Sequence, residues 1–378
     1  MKKKIILILV GDLGSFEINR LKIALAAKKK GYRVHIFYGD KGKANISSLR
    51  KHKLNFSKVK MRRGFSNPLD EIITLLNLFK IFKKLRPDIV HLVAIKPYLY
   101  GGIIARIVGI RAVVSAVAGL GSIFIRQDFK GKFLQSLLYP LFKIAFNHSN
   151  QRIIVQNNED KKWLIKWGVL KSSKAYLIRG SGVDLKKFRY TKENIDQQPI
   201  VTFPARLISH KGIIEFISAA RILNEKKVKA HFWIVGDIDI ENPSSLIKKD
   251  VESFQRYRNV NFKGYQRNIQ TIFTKSNIIC LPSYREGMPL SLLEAAATGR
   301  AIVTTNVPGC RDAIIQYKTG LTVPVKSIKQ LARAINFLIN NPNIRLQMGK
   351  DGRKLAEKQF DAEIIIKEHL KIYKLLLI

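Results

Sequence analysis

Residues 277–306 read NIICLPSYREGMPLSLLEAAATGRAIVTTN and contain two short apolar runs around a helical pattern. The runs NIICLPS and AIVTTN are too short for helices and are rich in apolar residues, which is typical of buried strands. The Leu- and Ala-rich segment between them has helical character. A strand, a helix and a second strand in succession indicate a βαβ unit whose parallel strands are buried on both faces.

The same alternation extends in both directions along the chain. Six strands are predicted in the first half, at 4–10, 33–38, 88–94, 112–117, 152–156 and 175–179. Six more are predicted in the second half, at 199–205, 230–236, 259–264, 277–283, 301–306 and 320–325. Helical patterns intervene, for example at 16–30 and 132–147. The predicted fold class is therefore α/β, with two doubly wound, Rossmann-like domains and a ligand site in the cleft between them.

A polar segment without apolar periodicity, RYTKENIDQQ at 189–198, marks the predicted domain boundary. The predicted domains are an N-terminal one over 1–190 and a C-terminal one over 191–360. The remaining residues, 361–378, form an amphipathic helix that can pack back on the N-terminal domain. A chain of 378 residues fits two domains better than one core.

The composition excludes several classes of protein. A hydrophobic content of 46% argues against disorder, and two cysteines, Cys280 and Cys310, suggest a reducing compartment without structural disulfides. The start MKKKIILILVGD imitates a signal peptide, but its apolar core, 5–10, is shorter than the roughly 7–15 residues that a secretory signal needs. No stretch reaches the roughly 18 apolar residues that span a bilayer.

The net charge of +41 predicts attraction to polyanions: nucleic acid, anionic lipid or phosphorylated substrates. Thirteen Lys or Arg and only two acids lie between Lys41 and Arg86. Within this region EIITLLNLFKIFKKLRPD, 71–88, is predicted to be an amphipathic helix with a basic polar face. That face is either simply solvated or rests on anionic lipid headgroups, and the two interpretations are compatible. Because no nucleic-acid-binding signature is visible, we expect membrane contact and no nucleic-acid partner.

Two glutamates in the 277–306 unit stand in different settings. Pro289 suits the first turn of a helix, so Met288 is the predicted N-cap, and a Met side chain cannot accept a capping hydrogen bond. An uncapped helix N-terminus attracts anions, and Gly287 lets the backbone approach a ligand. Glu286 in the turn can then accept from sugar hydroxyls, and Glu294 in the helix can bind a vicinal diol such as ribose.

A purely structural alternative exists for the same stretch. Ser283 and Glu286 have the spacing of a capping box, and Glu294 can be an exposed helix residue. Two cations favour the ligand interpretation. Arg206 and Lys211 follow the first strand of the second half, just before a helix that starts near Gly212, and together suit a diphosphate.

Four segments together carry a family resemblance: ARLISHKG at 205–212, IVGD at 234–237, FKGY at 262–265 and REGMPLSLLEAAATGRAIVTTNVPG at 285–309. With them the chain resembles family 4 glycosyltransferases of the GT-B fold along essentially its whole length. The resemblance implies transfer of a sugar from a nucleotide diphosphate donor, with retention at the anomeric carbon and without an essential metal or other cofactor.

The resemblance also implies roles for particular residues. Arg206 and Lys211 would grip the diphosphate and, with Glu286, form the catalytic set, while Glu286 contacts the donor sugar and Glu294 holds the ribose. The other implied donor-binding residues are Gly287, Met288, Pro289 and Leu290, through backbone amides, and Gly264 and Tyr265, near the nucleobase.

The first half resembles the acceptor side of the same family. Gly11 and Gly14 lie in a segment similar to the family's first loop, and AGLGSIFI, 118–125, with Gly119 and Gly121, resembles members that use polyprenyl-diphosphate-linked acceptors. Many members carry a His after the strand that corresponds to AVVSAV, where this chain has Ala118 and Gly119. His91 is the nearby candidate, although a buried structural His is the more common case.

Two further features of the second half carry no predicted role. Asp237 and Asp239 form an Asp-x-Asp pair that binds a metal in other transferases, but here they follow WIVG where the family has a loop, so no metal site is predicted. Cys310 has no base partner that the sequence reveals, and no nucleophilic role is assigned to it.

The sequence therefore predicts a retaining glycosyltransferase that extends a polyprenyl-diphosphate-linked glycan in surface polysaccharide synthesis, with UDP as the expected nucleotide. We expect it in the cytoplasm, at the inner face of the cell membrane. Two alternatives stay open: a GT-B enzyme of another reaction, such as a nucleotide-sugar epimerase or a phosphorylase, and a non-enzymatic polyanion-binding protein.

Overall fold

The chain forms two units, each built on its own parallel sheet. The computed structural model describes residues 3–41, 46–62, 67–120, 128–240, 242, 244–255, 257 and 259–378. One unit comprises Met1–Ser181 and Glu363–Ile378, and the other comprises Gly182–Ala362.

The first unit contains a seven-stranded sheet of order β3-β2-β1-β4-β5-β6-β7, in which all neighbours run parallel. Its strands are β1 Ile5–Asp12, β2 Arg33–Lys41, β3 Asn55–Lys58, β4 Ile89–Val93, β5 Ala112–Val117, β6 Gln151–Val155 and β7 Ala175–Leu177. Its helices are α1 Leu13–Asn19, α2 Leu21–Lys29, α3 Ile46–Arg50, α4 Pro68–Leu85, α5 Ile95–Val108, α6 Phe129–Ala145, α7 Asn158–Lys166 and the chain's last helix, α14 Ala362–Leu377.

Helices cover both faces of this sheet because successive strand side chains point to opposite sides. Leu7 and Leu9 of β1 pack in one core with residues of α4, α5 and α6. Ile6 and Ile8 pack in a second core with residues of α1, α2 and α14. The continuous apolar runs of β1, β4 and β5 are therefore buried on both faces, as the sequence predicted.

The second unit contains a six-stranded parallel sheet of order β10-β9-β8-β11-β12-β13. Its strands are β8 Ile200–Pro204, β9 His231–Val235, β10 Val260–Gly264, β11 Ile278–Leu281, β12 Ala301–Thr305 and β13 Gly320–Val323. Its helices are α8 Ile213–Glu225, α9 Lys248–Phe254, α10 Ile269–Lys275, α11 Leu290–Thr298, α12 Ile328–Asn340 and α13 Pro342–Leu355. The predicted class, two Rossmann-like α/β sheets, is confirmed.

The division between the units falls at Ser181/Gly182, nine residues before the predicted boundary at 190/191. Phe188 is buried in the core of the second unit, and the Val183 N–H donates to the Phe360 carbonyl at 2.7 Å. The polar segment 189–198 is also part of that unit, because buried Glu193 forms an ion pair with Arg345 at 2.9 Å. The segment is largely exposed, which accounts for its polar composition, and Glu193 anchors it to the second unit.

Local differences from the sequence prediction have simple causes. The predicted helix over 16–30 is two helices, with Arg20 as the residue between them in a non-helical conformation. The edge strand β3 was not predicted because its sequence, NFSK, is polar and largely exposed. No helix in the described part of the chain combines the length and the apolar content that crossing a bilayer requires.

Candidate active site

The carboxyl edge of the second sheet holds the two predicted cations. After β8 the chain passes Arg206 and makes a tight helical turn at Ser209–Lys211, and Gly212 then starts α8. Gly212 has φ of +79°, and a Cβ there would lie 2.2 Å from the Pro282 carbonyl oxygen. The absence of a side chain thus lets the turn pack directly against the end of β11, which leads into the loop that carries Glu286.

Lys211 and Glu286 form an ion pair through Nζ and Oε1. Their side chains are 18% and 12% exposed, so the pair is largely shielded from water. The Ser283 hydroxyl donates a hydrogen bond to the same Glu286 oxygen at 2.6 Å. Glu286 is therefore held from two directions, by a charge and by a hydroxyl, and the structure brings these two predicted site residues into direct contact.

Helix α11 begins at Leu290, so its N-cap is Pro289 and not the predicted Met288. The prediction was wrong by one residue because Pro289 adopts an extended conformation, φ −73° and ψ 114°. Proline offers no capping side chain either, and α11 has no side-chain cap. Ser283 and Glu286 lie before the helix and contact each other, so the capping-box alternative is contradicted.

The loop that contains Pro308 and Gly309 packs against the backbone of Glu286, a contact that the sequence did not predict. Gly309 has φ of +78°, and a Cβ there would lie 2.5 Å from the Gly287 carbonyl oxygen and 2.6 Å from that of Glu286. The Glu286 N–H donates to the Pro308 carbonyl at 3.3 Å. The sequence signal for this contact is the Pro-Gly pair of NVPG, residues 306–309, which is typical of a tight turn.

Glu294 is half-buried on α11, which contradicts the alternative of a solvated helix residue. Burial raises the pKa of its carboxyl group to about 8, and the nearby Lys187 partly offsets that increase. A carboxyl group with this pKa is costly to ionise without a partner. Within the described residues we find no hydrogen bond or ion pair to this carboxylate, which leaves it available to a ligand.

The ends of β8, β9 and β10 are joined at the same edge. The Leu207 N–H donates to the Asp237 carbonyl at 3.0 Å, and the Tyr265 N–H donates to the Asp237 carboxylate, also at 3.0 Å. Gly264 ends β10 with φ of +62°, and the Tyr265 side chain is 67% exposed beside it. An exposed aromatic ring at a sheet's carboxyl edge offers a stacking surface.

The Asp-x-Asp pair is engaged with the protein itself. Asp239 forms an ion pair with Arg206, and Asp237 accepts from the Tyr265 backbone. Among the described residues no group of three or more His, Cys, Asp or Glu has the arrangement of a metal site. Cys310 is buried, and burial together with the charge of Glu286 raises the pKa of its thiol to about 12, so this thiol is poorly suited to act as a nucleophile.

Two of the predicted first-unit glycines lie in regular elements, and a third follows a strand end as expected. Gly11 lies within β1 and Gly14 within α1, so neither belongs to a loop, and α1 starts at once because Asp12 caps it by accepting from the Ser15 N–H at 2.7 Å. Gly119 follows β5 with φ of +106°. Gly121 lies outside the described residues.

His91 is a buried residue of β4 and not part of a loop, which corrects its assignment to the acceptor site. Its Nδ1 lies 2.6 Å from the Tyr373 hydroxyl on α14, and its ring lies 5.7 Å from that of His369. Burial lowers the pKa of His91 well below its ordinary value, so the ring is neutral. It therefore links α14 to the sheet, as the structural interpretation expected.

Two Rossmann-like parallel sheets in one chain define the GT-B class of fold, and comparison with solved structures agrees. Anabaena HepE in complex with UDP and glucose superposes with a TM-score of 0.78 at 16% identity, over 99% of this chain and 100% of that one. A glycosyltransferase from Rickettsia africae superposes with a TM-score of 0.75 at 21% identity, over 100% of this chain and 99% of that one.

Sequence comparison gives the family. Residues 186–355 match the family described as glycosyl transferases group 1, and residues 6–157 match the family described as glycosyl transferase 4-like. The N,N'-diacetylbacillosaminyl-diphospho-undecaprenol alpha-1,3-N-acetylgalactosaminyltransferase of Campylobacter jejuni is 34% identical over 323 residues, which is 82% of this chain and 83% of the relative. The chain therefore belongs to the family 4 glycosyltransferases, and it is an enzyme rather than a non-enzymatic polyanion-binding protein.

A second relative is the UDP-Gal:alpha-D-GlcNAc-diphosphoundecaprenol alpha-1,3-galactosyltransferase of Escherichia coli. It is 28% identical over 283 residues, which is 71% of this chain and 70% of the relative. Both relatives are named for acceptors that carry a sugar on diphosphoundecaprenol.

Proposed function

We propose that this glycosyltransferase transfers a sugar, with retention at the anomeric carbon, from a UDP-sugar to a glycan carried on polyprenyl diphosphate in surface polysaccharide synthesis. The observation that carries the proposal is the shielded Lys211–Glu286 pair beside the uncapped start of α11. The names of the Campylobacter and Escherichia relatives support the class of acceptor, and the name of the latter supports UDP.

The edge of the second sheet has a group for each part of such a donor. Arg206 and Lys211 supply positive charge for the diphosphate, and the N-terminus of α11 adds the helix dipole. Glu286 accepts from sugar hydroxyls, and Glu294 accepts from the two ribose hydroxyls. The exposed Tyr265 ring offers a surface for the base. Gly287 to Leu290 follow Glu286 and approach the sugar and phosphates through their backbone.

The same groups favour the transition state over the bound substrate. Departure of the nucleoside diphosphate places positive charge on the sugar ring and increases negative charge on the leaving phosphate. The interaction between that phosphate and the cations fixed beside it becomes more favourable as the negative charge grows. This lowers the free energy of the transition state relative to the bound substrate. Lys211 is pre-positioned by Glu286, so little reorganisation accompanies the reaction. The leaving phosphate accepts the acceptor's proton on the same face of the sugar, which accounts for retention without a second carboxylate.

The proposed acceptor also determines where the enzyme works. A polyprenyl chain is held in a bilayer, and a chain with a net charge of +41 is attracted to anionic lipid. We therefore place the enzyme in the cytoplasm, peripheral to the inner face of the cell membrane, with no nucleic-acid partner.

The test is a panel of nucleotide sugars offered with a polyprenyl-diphosphate saccharide and read by mass spectrometry. The proposal expects one UDP-sugar to extend the acceptor by one residue, with UDP release that depends on the acceptor. UDP release or sugar isomerisation without acceptor would favour an epimerase, and consumption of inorganic phosphate with glycan shortening would favour a phosphorylase.

A further inference from the structure

Two helices on one face of the first sheet, α4 and α6, expose several large apolar side chains at positions where a water-facing helix usually has polar residues. Helix α4 buries Thr74, Leu78 and Phe82 against the sheet, four residues apart. On its outer side Leu69 is 67% exposed and Leu76 is 54% exposed, with Ile72 between them. The outward face of this helix is therefore apolar in its first half, whereas the sequence predicted a basic polar face.

Helix α6 has the same property. Phe129, Phe133 and Leu137 repeat every four residues along its outer side and are 84%, 65% and 61% exposed. The buried side of the helix is supplied by other residues, among them Leu138 and Phe142. We call Leu69, Ile72 and Leu76 of α4 together with Phe129, Phe133 and Leu137 of α6 the apolar face.

The two stripes belong to one layer and to one end of it. Helix α5 lies between α4 and α6: Lys96 of α5 bonds Glu71 of α4 at 2.7 Å, and a Cβ on Gly102 of α5 would lie 2.8 Å from the Ala145 carbonyl oxygen of α6. Since β3, β4, β5 and β6 are parallel, α4 and α6 both run back from the carboxyl edge of the sheet. The apolar face occupies their first halves and is therefore near that edge.

Basic residues outnumber acids around the apolar face, where the acids are Asp70 and Glu71 of α4 and Asp128 at the start of α6. On α4 the outer stripe continues from Leu76 into exposed Lys80, Lys83 and Lys84. On α6 exposed Lys132 and Lys143 flank the apolar stripe, and the sequence of α6 itself contains no acidic residue.

The acids of α4 are matched by cations. Asp70 lies 3.8 Å from Lys60 and 3.4 Å from Arg62, and Glu71 pairs with Lys96. An apolar stripe that continues into lysines is typical of helices that lie in a membrane interface, where apolar side chains enter the acyl region and lysines reach the phosphates.

We infer that the apolar face inserts into an anionic bilayer and is the surface by which the first unit docks on the membrane. This inference rests on the proposed function and refines it, because charge alone would only adsorb the protein to headgroups. Anionic lipid is favoured over a second copy of the chain, since two such lysine-bordered surfaces repel each other. Insertion at the carboxyl edge of the sheet, where ligands of such sheets bind, brings that edge to the depth of a lipid-linked diphosphate.

The experiment measures binding to vesicles of phosphatidylglycerol and phosphatidylethanolamine by flotation at low and high salt. Two patch variants, Phe129→Ser/Phe133→Ser and Ile72→Ser/Leu76→Ser, are compared with Ile240→Ser/Ile247→Ser, a control at exposed positions of the second unit. Each patch substitution should weaken binding by roughly tenfold at both salt concentrations, and the control should bind as the wild type does. Circular dichroism and UDP binding verify that the variants fold.

A second readout separates insertion from adsorption. The fluorescence of the tryptophan introduced by Phe133→Trp should be quenched by lipids brominated on the acyl chain. The fluorescence of the tryptophan introduced by Ile240→Trp should not be quenched. Equal vesicle binding by patch variants and control would overturn the inference. The inference would also be overturned if the wild type were a dimer, the patch variants were monomers and vesicle binding were unchanged. The apolar face would then join two copies of the chain.

The proposed function is tested independently in the same preparations. Patch variants should transfer sugar to a short-chain, water-soluble diphosphate-linked acceptor at the wild-type rate. Absence of transfer by wild type and variants alike would count against the proposed function, while loss of vesicle binding in the patch variants would still support the docking surface.

Discussion

Lys211 and Glu286 form an ion pair across 75 residues of sequence, from the turn before α8 to the loop before α11. Both side chains are largely shielded, and the Ser283 hydroxyl adds a hydrogen bond to Glu286. Lys211 ends a short helical turn and Glu286 lies in a loop, and the ion pair joins these two segments. The pair is thus both a structural tie at the sheet edge and the proposed centre of donor binding.

Replacing either partner should affect catalysis far more than folding. Lys211→Ala and Glu286→Ala are each expected to reduce kcat/KM by roughly 100- to 1000-fold, the typical effect of removing one pre-positioned electrostatic group. Each should lower stability by about 1–2 kcal/mol, because the remaining charge keeps partial access to water. Steady-state transfer assays and thermal melts measure the two effects.

Lys248→Ala is the matched control for this prediction. Lys248 pairs with Glu252 at 3.8 Å on the surface of α9, and its side chain is 89% exposed. We expect no measurable change in transfer or melting. Wild-type transfer in Lys211→Ala or Glu286→Ala would contradict the assignment of the pair to the donor site.

Glu294 should make stability depend on pH in a specific direction. Burial raises the pKa of its carboxyl group from an ordinary 4.5 to about 8 in the folded chain. The folded state therefore holds a proton that the unfolded state releases, so this group's contribution is fully present below about pH 4.5 and is lost as pH rises to about 8. Glu294→Gln should remove this loss, on the order of 2 kcal/mol after allowance for partial exposure.

The measurement is a series of denaturant melts across that pH window. The stability of Glu294→Gln relative to wild type should increase as pH rises and reach a plateau above about pH 8. UDP binding should show the complementary trend in the wild type, tightening as Glu294 ionises, because the ionised carboxylate accepts from both ribose hydroxyls. A pH-independent difference in stability between the two proteins would show that Glu294 titrates normally.

Gly309→Ala tests the contact beneath the Glu286 loop. A Cβ at this position would meet two carbonyl oxygens at 2.5 and 2.6 Å, and the backbone has φ of +78°. We expect a loss of about 2 kcal/mol or more and a larger proportional loss of transfer, since the loop has to move.

Gly109→Ala provides the comparison. Gly109 has a similar φ of +69°, but a Cβ there would meet nothing within 4 Å. This variant should lose only about 1 kcal/mol and keep full activity. If both variants lost the same stability and activity, the positive φ alone would explain the need for glycine at position 309. The proposed support of the Glu286 loop by Gly309 would then be refuted.

Transfer should persist in EDTA. The carboxylates of Asp237 and Asp239 are engaged by Tyr265 and Arg206, so they are poorly placed to share a divalent ion. Activity measured after chelation should match untreated enzyme, and added Mn²⁺ should change it little. Complete loss in EDTA with recovery in Mn²⁺ would mean that the Asp-x-Asp pair, and not Arg206 and Lys211, balances the diphosphate charge.

The fold was predictable wherever burial alone decides structure. The strands β4, β5 and β12 are largely apolar and buried along their length, and a parallel sheet covered on both faces requires that pattern. Prediction failed in two situations. One is an element that is not buried, and the other is a polar residue that is buried. Polar β3 lies at a sheet edge, and Glu193 is a buried residue, paired with Arg345, in a polar segment that is otherwise largely exposed.

For the site, the sequence identified the residue types but not their contacts. Arg206, Lys211 and Glu286 stand at strand ends that periodicity locates, so their gathering at one edge was predictable. The Ser283-x-x-Glu286 spacing was visible, but it produces a hydrogen bond within the loop and not a helix cap. The support from Gly309 depends on how two loops pack, which no local pattern records. Gly11 and Gly14 were expected in a loop because their segment resembles the family's first loop, yet Asp12 caps a helix there.

The central claim is tested most directly by the anomeric configuration of the first product. A UDP-sugar with an α-linked donor carbon is incubated with a polyprenyl-diphosphate saccharide, and the configuration of the new linkage is assigned by NMR. The account predicts an α-linked product, formed only when acceptor is present and lost in Glu286→Ala. A β-linked product, or an α-linked product made equally well by Glu286→Ala, would contradict it.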